Sequence, residues 1–281
     1  MKPLTHESGP AYLFCPASRP DRYQKALDAA DFAIFDLEDA VAPADKAAAR
    51  QALIDNPVDP DAVIVRVNAI GTPDHTLDLE TLEQTTYRRI MVPKAENPEA
   101  IAALEGFEVI ALCETARGVL RAAEIAVAPS LVGLMWGAED LIASLGGRSS
   151  RQDDHSYRPI ARHARAVVLL AAGAEGKPAI DAVVLALDDV DSLINEATDA
   201  VASGFVGKAC IHPRQAALVR EAFRPSDELV AWAMQVVERA GDDGVHIVGG
   251  EMVDGPVIAQ ARKVLALSQA PSDVSVDDTV S

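Results

Sequence analysis

The feature that most constrains this chain is its rhythm. Short apolar stretches alternate with helical patterns almost without a break from Tyr12 to Ala222. Strand-like runs fall at Tyr12–Cys15, Phe32–Leu37, Ala62–Val67, Arg89–Val92, Val109–Cys113, Leu131–Trp136, Ile180–Leu185 and Gly207–Ile211. Helical stretches follow them in turn at Pro20–Ala30, Ala44–Leu53, Leu77–Gln84, Pro98–Leu104, Val119–Val127, Ile160–Gly173, Val190–Ser203 and Pro213–Ala222, with a short helix Leu141–Leu145 and a polar loop Gly146–Tyr157 after the sixth strand. Strands alternating with helices imply parallel pairing. Eight such units predict an α/β fold, a closed (β/α)8 TIM barrel over residues 1–224. The alternative, an open doubly wound sheet, would want a Gly-rich turn after its first strand. Cys15-Pro16-Ala17-Ser18 does not supply one.

After Pro225 the rhythm changes. Asp227–Ala240 is an amphipathic helix, Gly241-Asp242-Asp243-Gly244 a turn, Val245–Asp254 a short hairpin and Pro256–Leu267 a last helix. Residues 225–270 are too few to form a large core alone. They are expected to be a C-terminal extension that packs on the barrel or on a neighbouring subunit. Residues 271–281 read as a flexible acidic tail.

Composition removes several function classes. The net charge of −18 argues against nucleic acid or an anionic membrane as a partner. No apolar run has the length of a membrane span, and Met1 to Gly9 lacks a signal-peptide core. Cys15, Cys113 and Cys210 have neither metal nor redox spacing, which fits a reducing cytoplasm. A nucleophile triad is not indicated, since Ser144 and Ser149 lie outside any Gly-x-Ser-x-Gly context.

In a barrel of this kind the active site forms on the rim where the strands end. The second strand delivers Glu38 and Asp39, the third Arg66 and Asn68, the fourth Lys94, the fifth Glu114, the sixth Asp140 and the eighth His212. Glu114 and Asp140 follow neighbouring strands, whose axes lie about 4.8 Å apart. Each acid alone reads as a helix-start residue favoured by the helix dipole. As a pair they read as ligands of one hard cation, and Mg2+ takes one or two protein carboxylates and fills its other positions with water and substrate oxygens. Zinc is disfavoured because no two His residues have ligand spacing.

Glu38 and Asp39 either accept hydrogen bonds from metal-bound water or form a solvated, capping acid pair. Arg66, inside the apolar run Val63-Ile64-Val65-Arg66-Val67, needs buried partners. An anionic substrate, an ion pair with Glu38 or Asp39, or both would serve. Gly137 and Ala138 form a small-residue exit that lets backbone N–H groups approach a substrate carboxylate. His212 before Pro213 reads as a capping residue, and Met135 and Trp136 as core.

These pieces, in this order, resemble the citrate lyase beta-subunit-like branch of the HpcH/HpaI aldolase superfamily, which includes malyl-CoA and citramalyl-CoA lyases. The matching segments are Leu13-Phe14-Cys15-Pro16 with Arg22 and Lys25-Ala26, Asp36-Leu37-Glu38-Asp39-Ala40-Val41, Val65-Arg66-Val67-Asn68 and Val92-Pro93-Lys94. They continue with Glu114-Thr115-Ala116-Arg117-Gly118, Gly137-Ala138-Glu139-Asp140-Leu141, Gly207-Lys208-Ala209-Cys210-Ile211-His212-Pro213 and Met252-Val253-Asp254-Gly255-Pro256.

The resemblance implies a metal-dependent carbon–carbon lyase, acting on a 3-hydroxyacyl-CoA thioester such as citramalyl-, malyl-, citryl- or 3-hydroxy-3-methylglutaryl-CoA. Cleavage would release an acyl-CoA and a keto acid; the reverse condensation is the same chemistry. It implies Mg2+, with Mn2+ as the alternative, on Glu114 and Asp140, with Arg66 meeting developing negative charge. It also implies Asp254 as the proton-transfer residue, donated across the interface of a homotrimer. Arg22 and Lys25 are the candidates for coenzyme A phosphates. Two other readings stay open: an aldolase on free 4-hydroxy-2-keto acids, and a non-catalytic acyl-thioester-binding subunit of a larger complex.

Overall fold

The structure, a computed structural model, describes residues 1–239, 246–248 and 251–269. Two compact units divide the chain, Met1–Phe223 and Arg224–Ser281. In the first, eight parallel strands close into a barrel in sequence order. They are β1 (Ala11–Pro16), β2 (Phe32–Asp36), β3 (Val63–Arg66), β4 (Arg89–Val92), β5 (Glu108–Cys113), β6 (Leu131–Trp136), β7 (Ala179–Asp181) and β8 (Gly207–Cys210). The first five helices are α1 (Tyr23–Ala29), α2 (Lys46–Asp55), α3 (Pro73–Glu83), α4 (Pro98–Ala102) and α5 (Ala116–Leu120). Five more complete the unit: α6 (Ala122–Ala126), α7 (Ala138–Ser144), α8 (Pro159–Ala174), α9 (Val190–Ser203) and α10 (Pro213–Phe223). Among the described residues, no helix is long and apolar enough to cross a membrane.

Alternation along the strands builds two cores. Tyr12, Phe32, Ile34, Ile64, Met91, Ile110, Leu112, Met135 and Ile180 fill the barrel interior. Leu13, Ala33, Phe35, Val65, Val92, Ala111 and Trp136 belong to the larger cluster that also holds the buried helix residues. Parity therefore decides what reaches the rim. Continuing the inward series by two residues leads from Ile34 to Asp36, from Ile64 to Arg66 and from Leu112 to Glu114.

Four details differ from the sequence expectation. The seventh strand ends at Asp181, and Ala182 to Leu185, expected to extend it, are irregular. Helix α3 begins at Pro73 rather than Leu77, because Thr72 caps it by accepting from His75 N–H at 3.2 Å. The helix expected over 119–127 is two short helices broken at Arg121. The helix expected at Leu141 begins at Ala138, so Glu139 and Asp140 lie in its first turn.

In the second unit, α11 (Asp227–Arg239) and α12 (Gly255–Ser268) pack together around Ala233, Val236, Val253 and Ala261. The antiparallel strands β9 (His246–Val248) and β10 (Glu251–Val253) form the hairpin. The expected turn at 241–244 and the tail at 271–281 lie outside the described residues.

Candidate active site

A cavity of about 370 Å³ opens on the strand C-termini of the barrel. Its lining includes Phe14, Asp36, Asp39, Arg66, Glu114, Gly137, Ala138 and Asp140. Barrel registry assembles it. Asp36 and Arg66 are paired positions of β2 and β3, so their side chains leave adjacent strands at one level. Arg66 Nε and Nη2 donate to the two oxygens of Asp36 at 2.7 and 2.6 Å, a bidentate fork. Its Nη1 lies 3.1 Å from Glu38 Oε2, and its guanidinium sits 4.9 Å from the centre of the Phe14 ring. Of the two acids expected to pair with Arg66, Glu38 does so; the main partner is Asp36, which the sequence reading had not singled out.

Asp36 also organises the loop beyond it by accepting from Glu38 N–H at 2.8 Å and Ala40 N–H at 3.0 Å. One acid thus orients the guanidinium and shapes the turn that carries Glu38 and Asp39. The signal was legible: Asp36 shares strand parity with Phe32 and Ile34. Beneath this turn, the buried Lys46 ammonium donates to the carbonyls of Leu37 and Glu38 at 2.7 and 2.9 Å and to Asn68 Oδ1 at 2.7 Å.

On β5 and β6 the registry pairs Cys113 with Trp136, which sets Glu114 beside Gly137. A Cβ at Gly137 would stand 2.7 Å from Glu114 Oε2, so glycine is required for the carboxylate to lie where it does. This gives Gly137 a reason beyond the backbone approach expected from sequence. Glu114 is only 3 % exposed, and its Oε1 accepts from Lys94 N–H at 3.1 Å. Burial first, then the carboxylates of Asp140 and Glu38, push Glu114 up to about 8, in spite of Lys94 and Arg66.

Glu38 is likewise raised, because burial outweighs the cations Arg66 and Lys94. Its Oε2 is buried with no hydrogen-bond partner. Asp140 and Asp39 are more open, and the Lys94 ammonium lies 3.7 and 3.8 Å from them while hydrogen-bonding Glu38. Asp39 is 61 % exposed at its side chain, which fits a solvated acid reaching the rim.

Glu139 also lines the cavity, and it accepts from the Ser150 hydroxyl at 2.6 Å. Other expected residues fall elsewhere. His212 Nδ1 accepts from Arg214 N–H at 3.1 Å, the expected capping role. Arg22 and Lys25 are exposed and do not line the cavity. Asp254 belongs to the second unit and caps α12, its Oδ1 accepting from Val257 N–H at 3.3 Å.

Among the described residues, no group of three or more His, Cys, Asp and Glu converges as a complete metal cage. A cation here would be held by two carboxylates, with water and substrate completing its shell. That donor set suits Mg2+ and does not suit zinc. Burial and the neighbouring acids also disfavour the charged form of Glu114, and a dication would relieve that cost.

Comparison with known proteins finds relatives over nearly the whole chain. A citrate lyase subunit beta-like protein of Mycobacterium tuberculosis is 53% identical over 259 residues, 92% of this chain and 95% of that protein. A (3S)-malyl-CoA thioesterase of Cereibacter sphaeroides is 36% identical over 287 residues, 95% of this chain and 98% of that protein. The crystal structure of CitE from Mycobacterium tuberculosis, in complex with magnesium, acetoacetate and coenzyme A, superposes with a TM-score of 0.91 at 52% identity, covering 94% of this chain and 99% of that one. The HpcH/HpaI aldolase/citrate lyase family matches residues 11–213, which is the whole barrel from β1 to the start of α10, and the chain belongs to that family.

Proposed function

We propose that this protein is a Mg2+-dependent lyase that cleaves the carbon–carbon bond of a 3-hydroxyacyl-CoA thioester into an acyl-CoA and a keto acid, or joins the two. The observation that carries the reading is the pair Glu114 and Asp140 on adjacent strand exits of one cavity, with the Glu114 carboxyl raised to about 8 by burial and then by the neighbouring acids Asp140 and Glu38. The magnesium, acetoacetate and coenzyme A held by the Mycobacterium tuberculosis relative support the same cofactor and ligand classes here.

In this reading Glu114 and Asp140 hold the metal, which when bound polarises the keto-acid carbonyl and neutralises charge that develops there. Arg66, fixed by its fork on Asp36, presents its remaining N–H groups to the substrate oxygens already oriented. Asp39, which lines the cavity, would accept hydrogen bonds from metal-bound water, and Glu38, buried on Arg66 and Lys94, would support the same outer shell. Gly137 and Ala138, both lining the cavity, bring backbone N–H groups to the substrate carboxylate. Asp254 moves the proton to or from the thioester carbon. We assign it to the active site of a neighbouring copy in a cytoplasmic homotrimer, which gives the extension a purpose. Arg22 and Lys25 remain our candidates for the coenzyme A phosphates.

The test is an assay of the purified protein with Mg2+ against malyl-, citramalyl-, citryl- and 3-hydroxy-3-methylglutaryl-CoA. The reading expects an acyl-CoA and a keto acid from at least one. Turnover of a free 4-hydroxy-2-keto acid alone would replace it with the aldolase reading. The malyl-CoA thioesterase relative supports one other outcome, hydrolysis. Its signature would be free coenzyme A with the hydroxy acid left intact.

A further inference from the structure

Lys94 holds a conformation that its neighbours explain. Its φ of 48° lies in the left-handed region, which a non-glycine residue rarely adopts. That turn lets one residue serve both sides of the rim. Its backbone N–H reaches Glu114 Oε1 at 3.1 Å, while its side chain crosses toward β2 and binds Glu38. The same ammonium stands 3.7 Å from Asp140 Oδ1 and 3.8 Å from Asp39 Oδ2. Arg66 is engaged by Asp36 and Glu38. Among the described residues, no cation other than Lys94 pairs with Asp39 or Asp140.

We propose that Lys94 is a resident counter-cation of the Mg2+ site: without metal it neutralises part of the Asp140–Glu38 cluster, and on metal entry it yields Asp140 and stays on Glu38. The proposal rests on the metal reading given above. Its physical content is a competition. An ammonium within about 5 Å of a dication opposes binding by on the order of tenfold, even with water-like screening. In return the acids of the rim are not left unopposed in the metal-free protein. A lysine suits this role better than an arginine, because its compact charge on a flexible stem can change partners. A simple clamp between the exits of β2 and β4 would behave differently, since its removal would loosen the metal ligands and weaken binding.

Two variants separate these outcomes. Lys94→Met keeps the length and removes the charge. Lys94→Gly removes the side chain and suits the backbone conformation, so the N–H on Glu114 is kept. Calorimetric titration with Mg2+ should show both variants binding about tenfold more tightly than wild type. In EDTA their thermal midpoints should fall by about 3 °C, and the gap should close in saturating Mg2+. Unchanged or weaker Mg2+ affinity, or a gap that persists with metal, overturns the proposal and leaves Lys94 as a clamp. If wild type itself binds no Mg2+, the metal reading fails and this inference falls with it. If wild type binds and the variants bind no tighter, only the role of Lys94 falls.

Discussion

Asp181 and Glu114 are both buried carboxylates of the same barrel, and their surroundings could hardly differ more. Asp181 is 1 % exposed and faces outward from β7. It accepts from Trp136 Nε1 at 2.7 Å, Arg165 Nε at 2.8 Å and Lys208 Nζ at 2.9 Å. Lys208 continues to Glu196, which also pairs with Arg151. Burial alone would raise Asp181, but Lys208 and Arg165 outweigh it and hold the carboxyl below its usual range. Glu114, at 3 % exposure on the inward parity of β5, is raised to about 8 by burial and then by the acids Asp140 and Glu38, which Lys94 and Arg66 do not offset.

The difference teaches where this protein keeps chemistry. A buried acid whose cations are built into the chain ties strands to helices; its network is complete, so it has nothing to bind. A buried acid short of positive charge is held in a costly state by the fold around it. The charge it lacks is what a bound metal would bring.

The contrast can be broken by mutation, and the largest effect is on turnover. Glu114→Gln should remove a metal ligand and lower kcat by at least about 10³-fold, from the several kcal/mol of charge stabilisation lost. A variant within tenfold of wild type in a steady-state assay would remove Glu114 from the metal. The same change should leave the metal-free fold as stable as wild type near pH 4.5 and more stable than wild type above it.

Asp181→Asn should do the opposite. It strands Lys208 and Arg165 and should cost about 3–5 kcal/mol in urea unfolding, far more than Glu114→Gln. Equal losses for the two would erase the distinction. Gly137→Ala should come next. Its new Cβ displaces Glu114 and should weaken Mg2+ binding by about 10–100-fold, as read by calorimetry, with a stability loss of about 1–3 kcal/mol.

The smallest effect is a slope. Glu114 has a folded pKa raised from 4.5 to about 8, so folding binds a proton there. Metal-free stability should therefore decline as pH rises from 4.5 toward 8 on its account, and Glu114→Gln should flatten the decline. Asp181, lowered from 3.8, works the other way: its contribution is present above 3.8 and is lost as pH falls through the folded value. Urea midpoints across this range in EDTA would show both.

Much of this was legible in the chain. The strand–helix rhythm gives the barrel, and the rim cavity unites Arg66, Asp39, Glu114 and Asp140 as expected from their places at strand exits. What was not legible depended on three-dimensional facts. Asp36 was hidden inside the run Asp36-Leu37-Glu38-Asp39, where only strand parity sets it apart from its neighbours. The part played by Lys94 follows from a backbone angle that sequence does not specify. The apolar run Ala182 to Leu185 looks the same in sequence whether or not it pairs, and β7 ends before it, at Asp181. The contact of Gly137 with Glu114 was hidden too, since it comes from the register of β5 on β6.

The most direct test of the central claim, that Glu114 is a buried acid waiting for a cation, is a titration of the metal-free protein with Mg2+ at pH 7 in two buffers of different ionisation enthalpy. A carboxyl raised to about 8 is mostly protonated at that pH. Binding must therefore expel close to one proton per Mg2+, and Glu114→Gln should abolish both the binding and the release. Mg2+ binding without proton release, or unaltered binding by Glu114→Gln, would contradict the account.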